Sequence, residues 1–166
     1  MKPFLLLATR ADDAPADAEY EAFLTRTGLR ERDLCRVRLE SEPMPDIDLD
    51  AYSGIMVGGS PFNTSTPEDV KSDTQRRVEA EFTALLDRVV AADFPFLGAC
   101  YGIGTLARHQ GAVIDATYAE EVGAPEITLT AAGLADPLCV GITPTFQAFV
   151  AHNDAIFTPP PGAVVL

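Results

Sequence analysis

Basic side chains are scarce. Lysines and arginines number 12 against 25 aspartates and glutamates, for a net charge of −13. A nucleic-acid reader needs a basic face to displace the counterions of the phosphate backbone, and an anionic membrane surface attracts the same kind of face, so neither partner is expected. The last cation is Arg108. Residues 109–166 carry only acids: Asp115, Glu120, Glu121, Glu126, Asp136 and Asp154. An anion held by that half must be held by backbone N–H groups or by groups outside the chain. Long apolar runs are missing too. Phe4-Leu5-Leu6-Leu7-Ala8 falls far short of the roughly 20 residues that span a bilayer and lacks a signal-peptide cleavage site. The cysteines, Cys35, Cys100 and Cys139, form no CxxC pair and, with His109 and His152, no metal-ligand cluster. The expectation is a cytoplasmic protein with free thiols, no metal and no organic cofactor.

What the chain does hold is enough apolar material for a core, 47% of 166 residues, in a length that suits one domain over residues 1–166. Short apolar strands alternate with helical stretches. Pro3 to Thr9 reads as a buried strand, Leu34 to Leu39 as a second and Tyr52 to Val57 as a third. A helix opens at Asp13 or Ala14 with Pro15 in its first turn and stops at Gly28. Thr66-Pro67-Glu68-Asp69 has the form of a helix start. The helix after it carries Val78, Phe82, Leu85, Leu86 and Val89 on one stripe. Phe94 to Ala99 is a strand and Cys100 to Gln110 a helix ended by Gly111. Ala112 to Ile114, Glu126 to Thr130 and Phe146 to Ala151 are further strands. The alternation predicts a three-layer α/β fold: a mostly parallel sheet, flavodoxin-like or Rossmann-like, with helices on both faces and its ligand site at the carboxyl ends of the strands. Ala163-Val164-Val165-Leu166 reads as the start of another buried strand, so the domain is expected to be truncated at its C-terminus.

The segment with chemistry is Phe96-Leu97-Gly98-Ala99-Cys100-Tyr101-Gly102-Ile103-Gly104. A strand runs into a helix, and a cysteine sits at the apex with glycines two residues before and after it. This is a G-x-nucleophile-x-G elbow with sulfur in place of oxygen. The apex backbone is expected to be strained, and glycine is expected at both flanks because side chains there would strike the neighbouring strand and helix. The sulfur would lie at a helix N-terminus, which favours thiolate, and the Tyr101 N–H is a candidate oxyanion donor. A small packed cysteine in a glycine-rich turn is the plainer alternative, and for Cys35 and Cys139 packing is the better reading.

A second loop fits the first. Gly58-Gly59-Ser60-Pro61 ends the third strand without a bulky side chain, on the same sheet edge as Cys100, and offers a second N–H donor. A cysteine nucleophile also needs a base. His109 lies nine residues beyond Cys100 on the same helix, about 13 Å away, out of reach. His152 has two readings: a polar residue shaping the cleft, which is favoured, and a base oriented by Asp154.

Together these residues resemble the class I glutamine amidotransferases, most closely the stand-alone relatives of the amidotransferase domain of GMP synthase, over nearly the whole chain. The resemblance rests on Phe96 to Gly104 with Gly111-Ala112-Val113, on the Gly58-Gly59-Ser60-Pro61 turn, and on Ala151-His152-Asn153-Asp154, which looks like the family's Ser-His-Gly-Asp segment. It implies Cys100 as nucleophile, Gly59 and Tyr101 N–H groups as the oxyanion hole, and Gly58, Val150, Ala151 and His152 around the substrate. It implies glutamine hydrolysis through a γ-glutamyl thioester, with ammonia passed to a synthetase partner; a homo-oligomer is the other association considered. Two departures stand out. Gly104 occupies the place of a substrate-binding glutamine, and the family's His-Pro-Glu segment does not occur, so the base and its acid are expected beyond Leu166. The alternatives are a γ-glutamyl peptide hydrolase and a non-catalytic relative binding a metabolite or protein. An intracellular-protease branch of the same fold would place His where Tyr101 stands.

Overall fold

The computed structural model describes residues 2–166. Phe4–Ala8 forms β1, Leu34–Arg38 β2, Ile55–Val57 β3 and Phe96–Gly98 β4. They make one parallel sheet in the order β2-β1-β3-β4. Leu5 sits between Cys35 and Ile55, and Val57 between Leu7 and Gly98. A strand covered on both faces reads as a continuous apolar run whose alternate residues go to opposite layers. On one side Leu5, Leu7, Ile55 and Val57 pack with Val78, Phe82, Leu85, Leu86 and Val89. These five are the expected stripe, and they lie on α2, Asp73–Ala91. On the other side Leu6 and Met56 pack with Tyr20, Phe23 and Leu24 of α1, Asp13–Thr27, which closes at Gly28 with φ 70°. The predicted three layers with helices on both faces are therefore present.

The second helix starts later than Thr66-Pro67 suggests. Glu68–Val70 is a single 3-10 turn, and α2 begins after Ser72, whose Oγ accepts from the Gln75 N–H at 3.1 Å. Lys71 is the cause. Its side chain is buried, and its Nζ lies 2.8 Å from Glu68 and 2.5 Å from Glu79, which folds residues 66–71 back onto the helix. Burial opposes the charge on Lys71, but the hydrogen bonds to Glu68 and Glu79 outweigh it and raise the ammonium pKa. A raised folded-state value means the lysine's contribution is present below the unfolded lysine value of about 10.4, as long as its carboxylate partners stay ionised, and is lost on the alkaline side as pH rises through the folded value. Lys71→Met removes the close partner of Glu79 Oε2, leaving Gln75 on Oε1 at 2.8 Å and Arg108 at 3.8 Å, and is expected to cost about 2 kcal/mol in urea unfolding at pH 7. A loss within the scatter of surface substitutions, about 0.5 kcal/mol, would show that the pair carries nothing.

α3, Tyr101–His109, follows β4, and Gly111 ends it at φ 90°. Beyond it the expected extension of the parallel sheet is replaced by antiparallel ribbons: β5 (Val113–Asp115) with β10 (Ala155–Thr158), β6 (Glu120–Gly123) with β9 (Val150–His152), and β7 (Glu126–Thr128) with β8 (Thr145–Gln147). Parallel neighbours need long helical crossovers, and the helix in this half, α4 at Ala131–Ala135, has 5 residues. The expected strand Phe146 to Ala151 is split between β8 and β9. Its break lies where the Ala148 N–H donates to Pro125 O and Phe149 stands 91% exposed. Ala163 to Leu166 form no strand, and Val164 and Val165 are exposed. Among the described residues no helix is long and apolar enough to cross a membrane.

Candidate active site

The turn from β4 into α3 is the elbow the sequence predicts. Cys100 has φ 55° and ψ −110°, a region that costs an L-residue about 1–3 kcal/mol. The strain is held by backbone bonds on both sides. The Ala99 N–H donates to Val57 O at 2.9 Å, the Gly102 N–H to Gly58 O at 3.2 Å, and the Ile103 N–H to Cys100 O at 3.0 Å. The flanking glycines are demanded by packing. A Cβ on Gly98 would stand 2.5 Å from the Gly102 carbonyl carbon, and one on Gly102 2.6 Å from Val57 O. Cys100 is exposed. No described group accepts from the Tyr101 N–H. The Tyr101 ring is buried edge-on between Phe62 and Phe82, with centroids at 6.2 and 6.4 Å, which anchors the first turn of α3. Burial pushes its phenol pKa well up, so the hydroxyl stays protonated and takes no part in acid–base work near neutral pH.

Cys100 opens into a cavity of about 450 Å³ that it shares with Ser60, Asn63, Phe149, His152 and Asp154. Val150 and Ala151, the residues expected around the substrate, line the same cavity as the elbow. Two long-range bonds join its walls. The Ser65 N–H donates to Asp154 Oδ2 at 2.7 Å, and Asn153 Nδ2 donates to Asn63 Oδ1 at 3.2 Å. Asp154 therefore serves the loop at Ser65 and does not orient His152. The His152 ring places Nε2 2.9 Å from Glu120 Oε2, its cross-strand neighbour, while its Nδ1 is buried without a partner. No described residue hydrogen-bonds to Cys100 Sγ. His109 lies 2.9 Å from Asp87 on α2, away from the sulfur. Cys35, read as packed, is exposed on the edge strand β2, and Cys139 is half-buried.

The Gly58-Gly59 turn departs most from expectation. The Gly59 N–H faces neither the sulfur nor open space: it donates to Glu19 Oε1 at 2.8 Å. A Cβ on Gly58 would collide with the same carboxylate at 2.5 Å, and one on Gly59 with the Arg10 guanidinium. The next N–H, that of Ser60, meets no described acceptor. Sequence reasoning overlooked Glu19. Its signal is a polar residue inside the inward stripe of α1, between Ala16 and the packed Tyr20, Phe23 and Leu24. Gly104 also has a structural partner. A Cβ there would stand 2.5 Å from Thr64 Oγ1, so the space above residue 104 belongs to Thr64. Among the described residues no three His, Cys, Asp or Glu side chains converge on a point that would hold a metal ion.

No protein-family model matches the chain. A GMP synthase (glutamine-hydrolyzing) of Nitratidesulfovibrio vulgaris is 34% identical over 89 residues, which is 53% of this chain and 17% of that protein. A glutamine amidotransferase of Thermotoga maritima superposes with a TM-score of 0.72 at 17% identity, covering 96% of this chain and 64% of the other. The chain is similar to the glutamine amidotransferases and shares their fold. A second member of that fold, from Methylobacillus flagellatus, gives a TM-score of 0.71 at 21% identity, with 99% of this chain and 60% of that one covered. The chain thus spans about a sixth of the curated relative and under two thirds of the amidotransferase structures.

Proposed function

We propose that the protein is a thiol enzyme of the glutamine amidotransferase type, with Cys100 as nucleophile on a side-chain amide. The observation that carries this is the strained elbow: φ 55° at an exposed cysteine between two glycines whose close approach leaves no room for a side chain. In the first step Sγ bonds to the amide carbon and the carbonyl electrons move onto oxygen. The oxyanion is held by the Tyr101 N–H and by one N–H of the Gly59–Ser60 turn. The intermediate collapses by breaking the C–N bond; nitrogen takes up a proton and leaves as ammonia, and a γ-glutamyl thioester remains for water to hydrolyse. On this reading the proton relay is a His–Glu pair supplied from outside residues 1–166, since neither described histidine meets the sulfur. Such chemistry calls for a synthetase partner that consumes the ammonia.

Labelling the natural protein with a glutamine-analogue electrophile tests this. The adduct is expected on Cys100 in peptide mapping, with the exposed Cys35 as internal control. An adduct on Cys35 with Cys100 untouched sinks the proposal.

A second substrate reading draws on Gly104 and Thr64. No side chain projects from position 104, and the cavity lining contains no lysine or arginine. The lack of a cation bears on both substrates alike, since each carries the same α-carboxylate, but the bare position 104 favours a γ-glutamyl compound whose leaving group lies against apolar walls such as Ile103, Ile114 and Phe149 over free glutamine. If so, kcat/KM for a γ-glutamyl peptide is expected to exceed that for L-glutamine by at least tenfold, roughly 1.4 kcal/mol of transition-state binding. A ratio at or below one decides for glutamine.

A further inference from the structure

Resting on the thiol-enzyme reading above, we infer that Glu19 is a positioning residue that holds the Gly58–Gly59 peptide, and so keeps Gly59 O turned to Thr9, so that the Ser60 N–H, rather than the Gly59 N–H, completes the oxyanion hole with Tyr101.

The geometry comes from three contacts. Glu19, with 12% of its side chain exposed, accepts from the Gly59 N–H at 2.8 Å and from Arg10 Nε at 3.1 Å on the same oxygen, Oε1. Buried Thr9 donates its hydroxyl to Gly59 O at 3.2 Å. The N–H of Gly59 is thus committed to α1 and its C=O to the segment that links β1 to α1. No cis peptide bond occurs among the described residues, and in a trans peptide the N–H points opposite to the C=O of the preceding residue. With Gly59 O turned toward Thr9, the Ser60 N–H must point the other way. β3 lies between β1 and β4, so the other way is the β4 side, where Cys100 follows the strand. Ser60 and Cys100 line the same cavity.

Charge leads to the same assignment. An oxyanion on the Gly59 N–H would share one donor with a carboxylate, and two like charges in a half-buried site repel strongly. At Ser60 the developing charge meets a donor with no competing acceptor. Glycine at 58 and 59 follows from the same arrangement, because the Glu19 carboxylate and the Arg10 guanidinium occupy the space a Cβ would need. The further oxygen of Glu19, Oε2, is buried and unpartnered, a cost that a merely solvated carboxylate on α1 would not carry.

Two reactions of the natural protein separate positioning from simple support of the fold. Hydrolysis of L-glutamine or γ-glutamyl-p-nitroanilide, whichever turns over faster, builds an oxyanion. Alkylation of Cys100 by iodoacetamide does not, because the sulfur attacks a saturated carbon and expels iodide. Glu19→Ala is expected to lower kcat about 100-fold, the scale of one lost oxyanion donor, with KM and the alkylation rate changed less than about threefold. Glu19→Gln keeps an acceptor at Oε1 and is expected to recover kcat to within about tenfold of the parent, the difference being one hydrogen bond to a charged acceptor. Ser60→Pro, which removes the N–H, is expected to match Glu19→Ala, while Ser60→Ala, which loses only the Oγ that accepts from the Phe62 N–H, is expected to keep kcat within about threefold of the parent. The assignment is overturned if Glu19→Ala leaves kcat intact, if it slows alkylation as much as turnover, or if Ser60→Pro turns over normally. A parent protein with neither turnover nor Cys100 alkylation overturns the thiol-enzyme reading itself, which is a distinguishable failure.

Discussion

Cys100→Ala is expected to abolish amide turnover, and Cys100→Gly to abolish it while making the protein more stable. The first effect follows from losing the proposed nucleophile and amounts to a kcat lower by on the order of 10⁴-fold or more. The second is specific to an elbow. At φ 55° and ψ −110° an L-residue is strained by about 1–3 kcal/mol, and alanine inherits that strain. Glycine accepts the conformation freely but brings about 0.5–1 kcal/mol of extra unfolded-state entropy. The balance favours Cys100→Gly over Cys100→Ala by about 1 kcal/mol, or about 2–4 °C in Tm for a chain of this size. Differential scanning calorimetry of the two variants beside the parent reads it directly. Equal melting temperatures for the glycine and alanine variants would mean that residue 100 is not held under strain, and the case for a presented nucleophile would lose its main support.

Where periodicity and close packing decide local structure, the sequence was readable. β1 to β4 follow from apolar runs, the buried face of α2 from its i, i+4, i+7 stripe, and the elbow from two glycines in register with a strand end. Each is a contact between residues near in sequence or repeated at a fixed spacing. The start of α2 misled because Thr66-Pro67 carries the composition of a cap, whereas the burial of Lys71 against Glu79 is a tertiary fact. The 112–158 region misled more. Three-residue apolar segments suit parallel and antiparallel pairing equally, and nothing in Ala112 to Ile114 announces that its partner is Ala155–Thr158. The partner of the Gly59 N–H was hidden for the same reason. A Gly-Gly turn shows where donors can be, but the acceptor that takes the Gly59 N–H is Glu19, 40 residues away along the chain.

Gly98→Ala and Gly102→Ala test whether the sulfur's presentation depends on backbone contact between strand and helix. At Gly98 the new methyl would meet the Gly102 carbonyl carbon at 2.5 Å and its oxygen at 2.6 Å; at Gly102 it would meet Val57 O at 2.6 Å and Val57 Cβ at 2.9 Å. These neighbours are main chain or its first carbon on elements packed into the core, so they cannot rotate aside. Each variant is expected to lose about 3 kcal/mol, the upper part of the range for overpacking, and about 6–12 °C in Tm. Turnover should fall with it, because α3 must shift off β3 and carry the Tyr101 N–H away. Gly104→Ala is the comparison. There the methyl meets a hydroxyl oxygen, Thr64 Oγ1, at 2.5 Å, a group that can turn, and the expected loss is about 1 kcal/mol. Because Gly98 and Gly102 touch each other, a helix already displaced for one methyl has made room for part of the second. The double variant is therefore expected to lose at least about 1 kcal/mol less than the sum of the singles. Strict additivity would place the two methyls in separate environments and would contradict the direct Gly98–Gly102 contact on which the elbow is built.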